Sequence, residues 1–233
     1  MKYPLDCEPD FGKSLLFWLC RYVKFKLNSL SNKELKSPQE LAQVNFALSK
    51  GVWHIDELDA LVKKARNAGL IGVNTYFNPL KKLYEYLMLY KLHSMTQIDE
   101  ELLIEILASI TASLSDASKK NYRIAVINFF DFLDKQNEED GKAHLFDIQL
   151  KSWAGGLKDL SYYQVKALQK VGKNAEASAA LKKMEENLSR IRQNAVDSYA
   201  KFGDSNKNEQ ESNIAFYSAL IHLLKNEPTE AQS

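Results

Sequence analysis

Lys119, Lys120 and Arg123 fall close together in the stretch Ser115 to Gln136 (SDASKKNYRIAVINFFDFLDKQ), in the opening turns of an expected helix. Cations at the start of a helix oppose its dipole, at a cost of about 0.3–1 kcal/mol each. The same end carries free backbone N–H groups and is a natural anion site. A bound phosphate would turn the local penalty into a gain. For one helix alone, a solvated basic flank explains the three residues as well. Lys81 and Lys82, after Asn78-Pro79, repeat the placement, and two such pairs point to a shared anionic ligand.

Other chemistries find little support. His54, His93, His144 and His222 are scattered, and Cys7 and Cys20 form no CxxC, so no metal spacing exists and no cofactor is expected. No glycine-rich phosphate loop or nucleophile motif occurs. Glu100-Glu101 reads as a helix cap and Glu138-Glu139 as a loop.

The elements that must position these residues are helical. The second half of the stretch is apolar on almost every side, through Ala125, Val126, Ile127, Phe129, Phe130, Phe132 and Leu133, so it must be the central helix of a domain. Residues 11–30 place Leu15, Leu16, Trp18, Leu19, Tyr22, Val23 and Phe25 at helical spacing behind Asp10 as N-cap. Further helices are expected from Ser37-Pro38 to Gly51, over 55–68 with Gly69 as its stop, and over 97–113 with Asp99, Glu100 and Glu101 at its start. Between them lies a helix that starts either at Asn78-Pro79 or at Thr75. Strand signals are absent, except for a short extended connector over 144–151 (HLFDIQLK). The fold class is all-α.

At 233 residues, with 45% hydrophobic and 26% charged, the composition is globular. The net charge is +1, and residues 1–155 hold 20 basic and 20 acidic side chains, so a nucleic-acid surface must be a local patch. The run Ser14 to Cys20 is too short to cross a bilayer, and Asp6, Glu8 and Asp10 argue against a signal peptide. With two unpaired cysteines, the expectation is a soluble cytoplasmic protein with no membrane contact.

The order NTYFNPLKKLYEYL, an acidic-capped helix, then LSDASKKNYRIAVINFFDFL resembles the N-terminal core-binding (SAM-like) domain of Xer-type tyrosine recombinases. Ser118, Tyr122, Val126, Phe129 and Leu133 occupy that family's pattern in the second helix. KKARNAGLIGVNTY (63–76) and NYRIAVINFFDFLDKQN (121–137) are closest to the branch in which a single recombinase acts alone. The resemblance covers residues 1–155. It implies a helical half-clamp on duplex DNA carrying an inverted-repeat site, with N-terminal helices that meet neighbouring subunits. The DNA-facing residues it implies are Asn74, Thr75, Lys81 and Lys82 on one helix, and Ser115, Ser118, Lys119, Lys120, Asn121 and Arg123 on the other. Lys63, Lys64 and Arg66 match as a further backbone-contact cluster. Lysines and hydroxyls would set register on phosphates, while Asn121 and Arg123 are the better base readers.

The catalytic half of that family is not matched. Beyond residue 155 there are only Arg190, Arg192 and His222, no His-x-x-Arg element, and tyrosines outside the nucleophile's context (Tyr162, Tyr163, Tyr199, Tyr217). No strand cleavage by this polypeptide is expected. Residues 156–233 form a second domain of three helices, over 157–171, 175–202 and 209–225. The segment 162–181 resembles a tetratricopeptide hairpin, and 216–231 echoes 162–177 at an offset of 54. This half is either a protein-binding hairpin array or a plain three-helix bundle. The competing function for the whole chain is a helical protein–protein adaptor, as a homo-oligomer or with a helical partner, whose basic residues only aid solubility.

Overall fold

The computed structural model describes residues 4–30, 35–138, 146, 148, 150, 160–202 and 207–226. All regular structure among them is helical, and the chain divides into two compact units, Met1–Gly156 and Leu157–Ser233. The first unit contains α1 (Phe11–Ser29), α2 (Pro38–Lys50), α3 (Ile55–Asn67), α4 (Val73–Leu87), a 3-10 turn (Met95–Gln97), α5 (Glu100–Ile110) and α6 (Asp116–Glu138). The second contains α7 (Ser161–Lys170), α8 (Asn174–Phe202) and α9 (Lys207–Asn226). No described helix is long and apolar enough to cross a membrane.

Helix ends follow local chemistry. Asp10 opens α1 by accepting from the Lys13 N–H at 2.8 Å, Ser37 opens α2 ahead of Pro38, and Asp99 accepts from the Leu102 N–H at 2.8 Å to open α5. After α3, Gly69 takes φ +116°, which a side chain would resist, and the Leu70 N–H returns to the Ala65 carbonyl.

The start of α4 corrects the sequence expectation. It begins at Val73, before both Thr75 and Asn78, and Pro79 lies inside the helix as its seventh residue. The reason is burial. Val73, Phe77 and Leu80 share one face and are each at most 1% exposed, so packing extends the helix upstream of the proline. Lys81 and Lys82 are consequently mid-helix, away from the dipole's positive end, and the helix-start argument holds for α6 alone.

The core of the first unit is the second half of α6. Ala125, Val126, Phe129, Phe130 and Leu133 are at most 1% exposed. Helix α1 grips this face with aromatic rings: Tyr22 meets Phe129 and Phe132 edge-on at 5.4 Å each, and Trp18 meets Phe132 at 6.5 Å. Helix α4 packs along α6 as well. The Trp18 indole N–H donates to the Leu5 carbonyl at 2.9 Å, which folds the segment ahead of α1 onto the same core.

The second unit is built on Val165 and Leu168 of α7, Ala177, Ala180, Met184 and Leu188 of α8, and Ile221 and Leu224 of α9. Gly172 (φ +73°) turns α7 into α8. Gln169 donates to the Leu224 carbonyl at 3.2 Å, and Lys225 meets Glu185 at 2.6 Å, fixing α9 against both.

Truncating the central ring should be costly. Phe129→Ala is expected to lose about 3–5 kcal/mol, while Phe46→Ala, at a position 62% exposed, should stay within about 0.5 kcal/mol. Urea unfolding followed by tryptophan fluorescence, whose three reporters Trp18, Trp53 and Trp153 all precede the second unit, checks both.

Candidate nucleic-acid interface

The first turn of α6 presents a cationic surface. Ser115 precedes the helix, accepts from the Ser118 N–H at 3.4 Å and donates to the Ser118 hydroxyl at 3.1 Å, while its carbonyl takes the Lys119 N–H at 2.9 Å. Lys119 reaches Asp116 at 3.5 Å, but that carboxylate is fully exposed and holds it weakly. Lys120 and Asn121 are exposed and have no ion pair or side-chain hydrogen bond among the described residues.

Arg123 is placed differently. Its Nε donates to the Leu150 carbonyl at 2.8 Å, and the Leu150 N–H donates to Glu100 at the start of α5. Leu150 is fully buried and takes φ +46°, the one left-handed non-glycine residue among those described. Phe146 and Ile148 are buried too, at alternating positions, and the Phe146 N–H donates to the buried Asp134 at 3.1 Å. Arg123 therefore ties Leu150 to α6.

On α4, Asn74 and Thr75 stand in the first turn, half-buried and exposed, with the Thr75 N–H returned to the Gly72 carbonyl at 3.2 Å. Lys82 is exposed and unpaired among the described residues. Lys81 is not available in the same way. Its ammonium sits 3.0 Å from Asp59 and 3.1 Å from Asp56 of α3, with Glu85 at 3.9 Å, and only 22% of the side chain is exposed. The hydrogen bond to Asp59 raises the Lys81 pKa, outweighing burial, with Asp56 adding to it. Asp59 also holds Lys63 at 2.9 Å. Burial pushes the Asp59 carboxyl up, but the two lysine hydrogen bonds and charges outweigh it and hold it below the usual range. Of the α3 cluster, Lys64 and Arg66 remain exposed and unpaired among the described residues.

Lys26, at the end of α1, is a cation that the sequence pattern left unmarked. Its ammonium lies 4.8 Å from the Tyr76 ring, 5.4 Å from Tyr22 and 5.9 Å from Phe25. Burial lowers its pKa, and repulsion from Lys135 of α6 adds to the effect. Lys26 thus bridges Tyr76 and Tyr22, and Tyr22 in turn meets Phe129, which sets the first turn of α4 beside the second half of α6. The sequence signal was the i, i+4 spacing of Tyr22 and Lys26. No His/Cys/Asp/Glu group among the described residues could hold a metal ion, and burial pushes the Cys20 thiol up to about 12.

Residues 6–137 match the phage integrase SAM-like domain model. The tyrosine recombinase XerH of Campylobacter jejuni is 81% identical over 155 residues, which are 66% of this chain and 44% of that protein. XerH of Helicobacter pylori is 40% identical over 167 residues, 66% of this chain and 45% of that protein. Among the similar solved structures, two have a TM-score of 0.61 each. One is the XerH site-specific recombinase bound to palindromic difH substrate in a post-cleavage complex, 41% identical over 65% of this chain and 42% of that one. The other is a pre-cleavage complex with difH substrate, 37% identical over 71% and 50%. The chain thus spans less than half the length of these curated relatives.

The Asp59 bridge between α3 and α4 carries a pH signature. Because its folded pKa is depressed, the stability it contributes is complete above the ordinary carboxylate range and is lost as pH falls through the folded value. Asp59→Asn should cost about 1–2 kcal/mol at neutral pH. Denaturant melts of parent and variant should converge as the pH drops below about 4.

Proposed function

The chain belongs to the phage integrase SAM-like domain family, and from that premise we propose that residues 1–155 bind double-stranded DNA, without cutting it, through the first turn of α6 and the exposed face of α4. The observation that carries the reading is the distribution of unspent charge. In a unit of balanced composition, Lys81 and Lys63 are neutralised by Asp56 and Asp59, while Lys82 and Lys120 stay exposed without counter-ions among the described residues and the half-buried Lys119 has only the fully exposed Asp116. Exposed lysines cost little to present to phosphates, whereas Lys81 would have to leave two carboxylates.

In this reading Lys82, Lys119, Lys120, Ser115 and Ser118 set register on the backbone, and Asn74, Thr75 and Asn121 face base edges. Lys64 and Arg66 extend the backbone track, with Lys63 and Lys81 holding the α3–α4 frame behind it. Arg123 reaches a base only by giving up the Leu150 carbonyl, so its first role here is to hold the connector. The DNA is an inverted-repeat site, as the relatives' palindromic difH complex suggests, and two copies occupy its arms. A groove along α1, lined by Phe17, Lys24, Phe25, Lys50 and Trp53, offers an aromatic and basic contact for the neighbouring subunit. The absence of a His-x-x-Arg element in the 233 residues supports binding without chemistry by this polypeptide. Residues 156–233 serve as a helical interaction segment, and the free Cys7 and Cys20 suit a reducing cytoplasm.

Fluorescence anisotropy on a labelled duplex of about 30 base pairs, three helical turns, tests the reading across a salt series. Affinity should fall steeply with salt. The triple variant Lys82→Ala/Lys119→Ala/Lys120→Ala should flatten the slope by about 0.9 for each phosphate that is no longer neutralised. Binding that is absent at low salt, or that ignores the triple variant, would favour the adaptor reading.

A further inference from the structure

Helix α9 has two apolar faces, and its own unit uses one. Ile214, Tyr217, Ile221 and Leu224 pack on α7 and α8. On the opposite side Phe216 is 53% exposed and Leu223 50%, with Ser212 and Ala219 exposed between and beside them. The spacing Ser212, Phe216, Ala219, Leu223 runs in steps of four, three and four, the repeat of a two-helix seam. From it we infer that this outer face of α9 is the contact through which a second copy of the chain docks, with the two α9 helices antiparallel. The inference concerns a different unit from the DNA-binding proposal and does not rest on it.

Size and charge select that occupant. About a two-fold axis near Tyr217–Ser218, Phe216 of one copy falls opposite Ala219 of the other, and Leu223 falls opposite Ser212, so each large side chain meets a small one. A parallel pair would set Phe216 against Phe216 and Glu209 against Glu209. In the antiparallel pair the exposed Glu209 and Glu211 instead come alongside the helix end bearing His222 and Lys225, the latter also held by its own Glu185. The same patch serves both copies, so the contact closes on itself as a dimer. The seam from Ser212 to Leu223 is only about 16 Å long at 1.5 Å per residue. It is shorter than a standard interface, so the dimer should be concentration-dependent, with a Kd on the order of 10 µM.

Sedimentation of the full chain without DNA, over a concentration series, decides it. The 26.6 kDa monomer should shift towards twice that mass. Phe216→Glu or Leu223→Glu, each checked for helicity by circular dichroism, should hold the chain monomeric, while Leu89→Ser, at an exposed apolar position of the other unit, should leave the shift unchanged. Ala219→Phe alone sets ring against ring and should weaken the dimer roughly tenfold or more. The swap Phe216→Ala/Ala219→Phe keeps large against small and should restore it. A chain that stays monomeric throughout overturns the inference, as does a dimer indifferent to both glutamates. Failure of the swap overturns the antiparallel register.

Discussion

Everything in the first unit depends on α6 being two helices in one, a buried half and an exposed opening turn, and on the aromatic contact that separates them. Tyr22 lies between Phe129 and Phe132 at 5.4 Å from each, and Trp18 adds a third edge-on contact. None of these rings is more than 8% exposed, and each is worth about 1.5–3 kcal/mol in transfer alone. An opening turn rich in lysine and serine would not hold a helix in place by itself. The buried half does so, and Lys119, Lys120 and Asn121 are presented as a consequence of packing about two to three turns away.

Charge on the surface is then divided by what lies behind it. Where α4 crosses α3, Asp56 and Asp59 face the helix, and Lys81 is drawn in between them. Lys82, one residue on, is rotated by about 100° and escapes. Adjacent lysines that look equivalent in the chain thus have opposite fates, one a structural bridge and the other an exposed cation. The same separation holds on α6, where Lys120 is unpaired among the described residues and Arg123 is bound to the connector.

Helix existence and most helix ends were legible because their causes are local: Asp10, Ser37 and Asp99 as caps, Gly69 as a turn. The buried stripes of α1 and α6 were largely legible from period, but Phe25, placed at helical spacing with the stripe of α1, is 51% exposed, and Ile127 of α6 is only half-buried. The start of α4 was not, because a Pro after an Asn is a strong local signal, and it was overruled by the burial of Val73 and Phe77, a tertiary effect. The Lys81 bridge was hidden for the same reason: its carboxylates lie 22 and 25 residues away in sequence. Lys26 was half-legible, since Tyr22 is one turn back, but Tyr76 comes from another helix.

The connector was read only as a weak alternation of apolar residues, and its described residues 146, 148 and 150 show what that pattern serves. Phe146, Ile148 and Leu150 turn inward at every second residue, as they would in a sheet, but α6 and α5 supply the partners a sheet would have given. Asp134 takes one backbone N–H, Glu100 another, and Arg123 donates to the carbonyl of Leu150. Backbone groups buried against helices must find polar partners, and at Phe146 and Leu150 these are the side chains of Asp134, Glu100 and Arg123. That requirement places a carboxylate inside the core at Asp134 and a strained φ at Leu150. It also gives Arg123 a structural task on the flank that its neighbours Lys119 and Lys120 leave open.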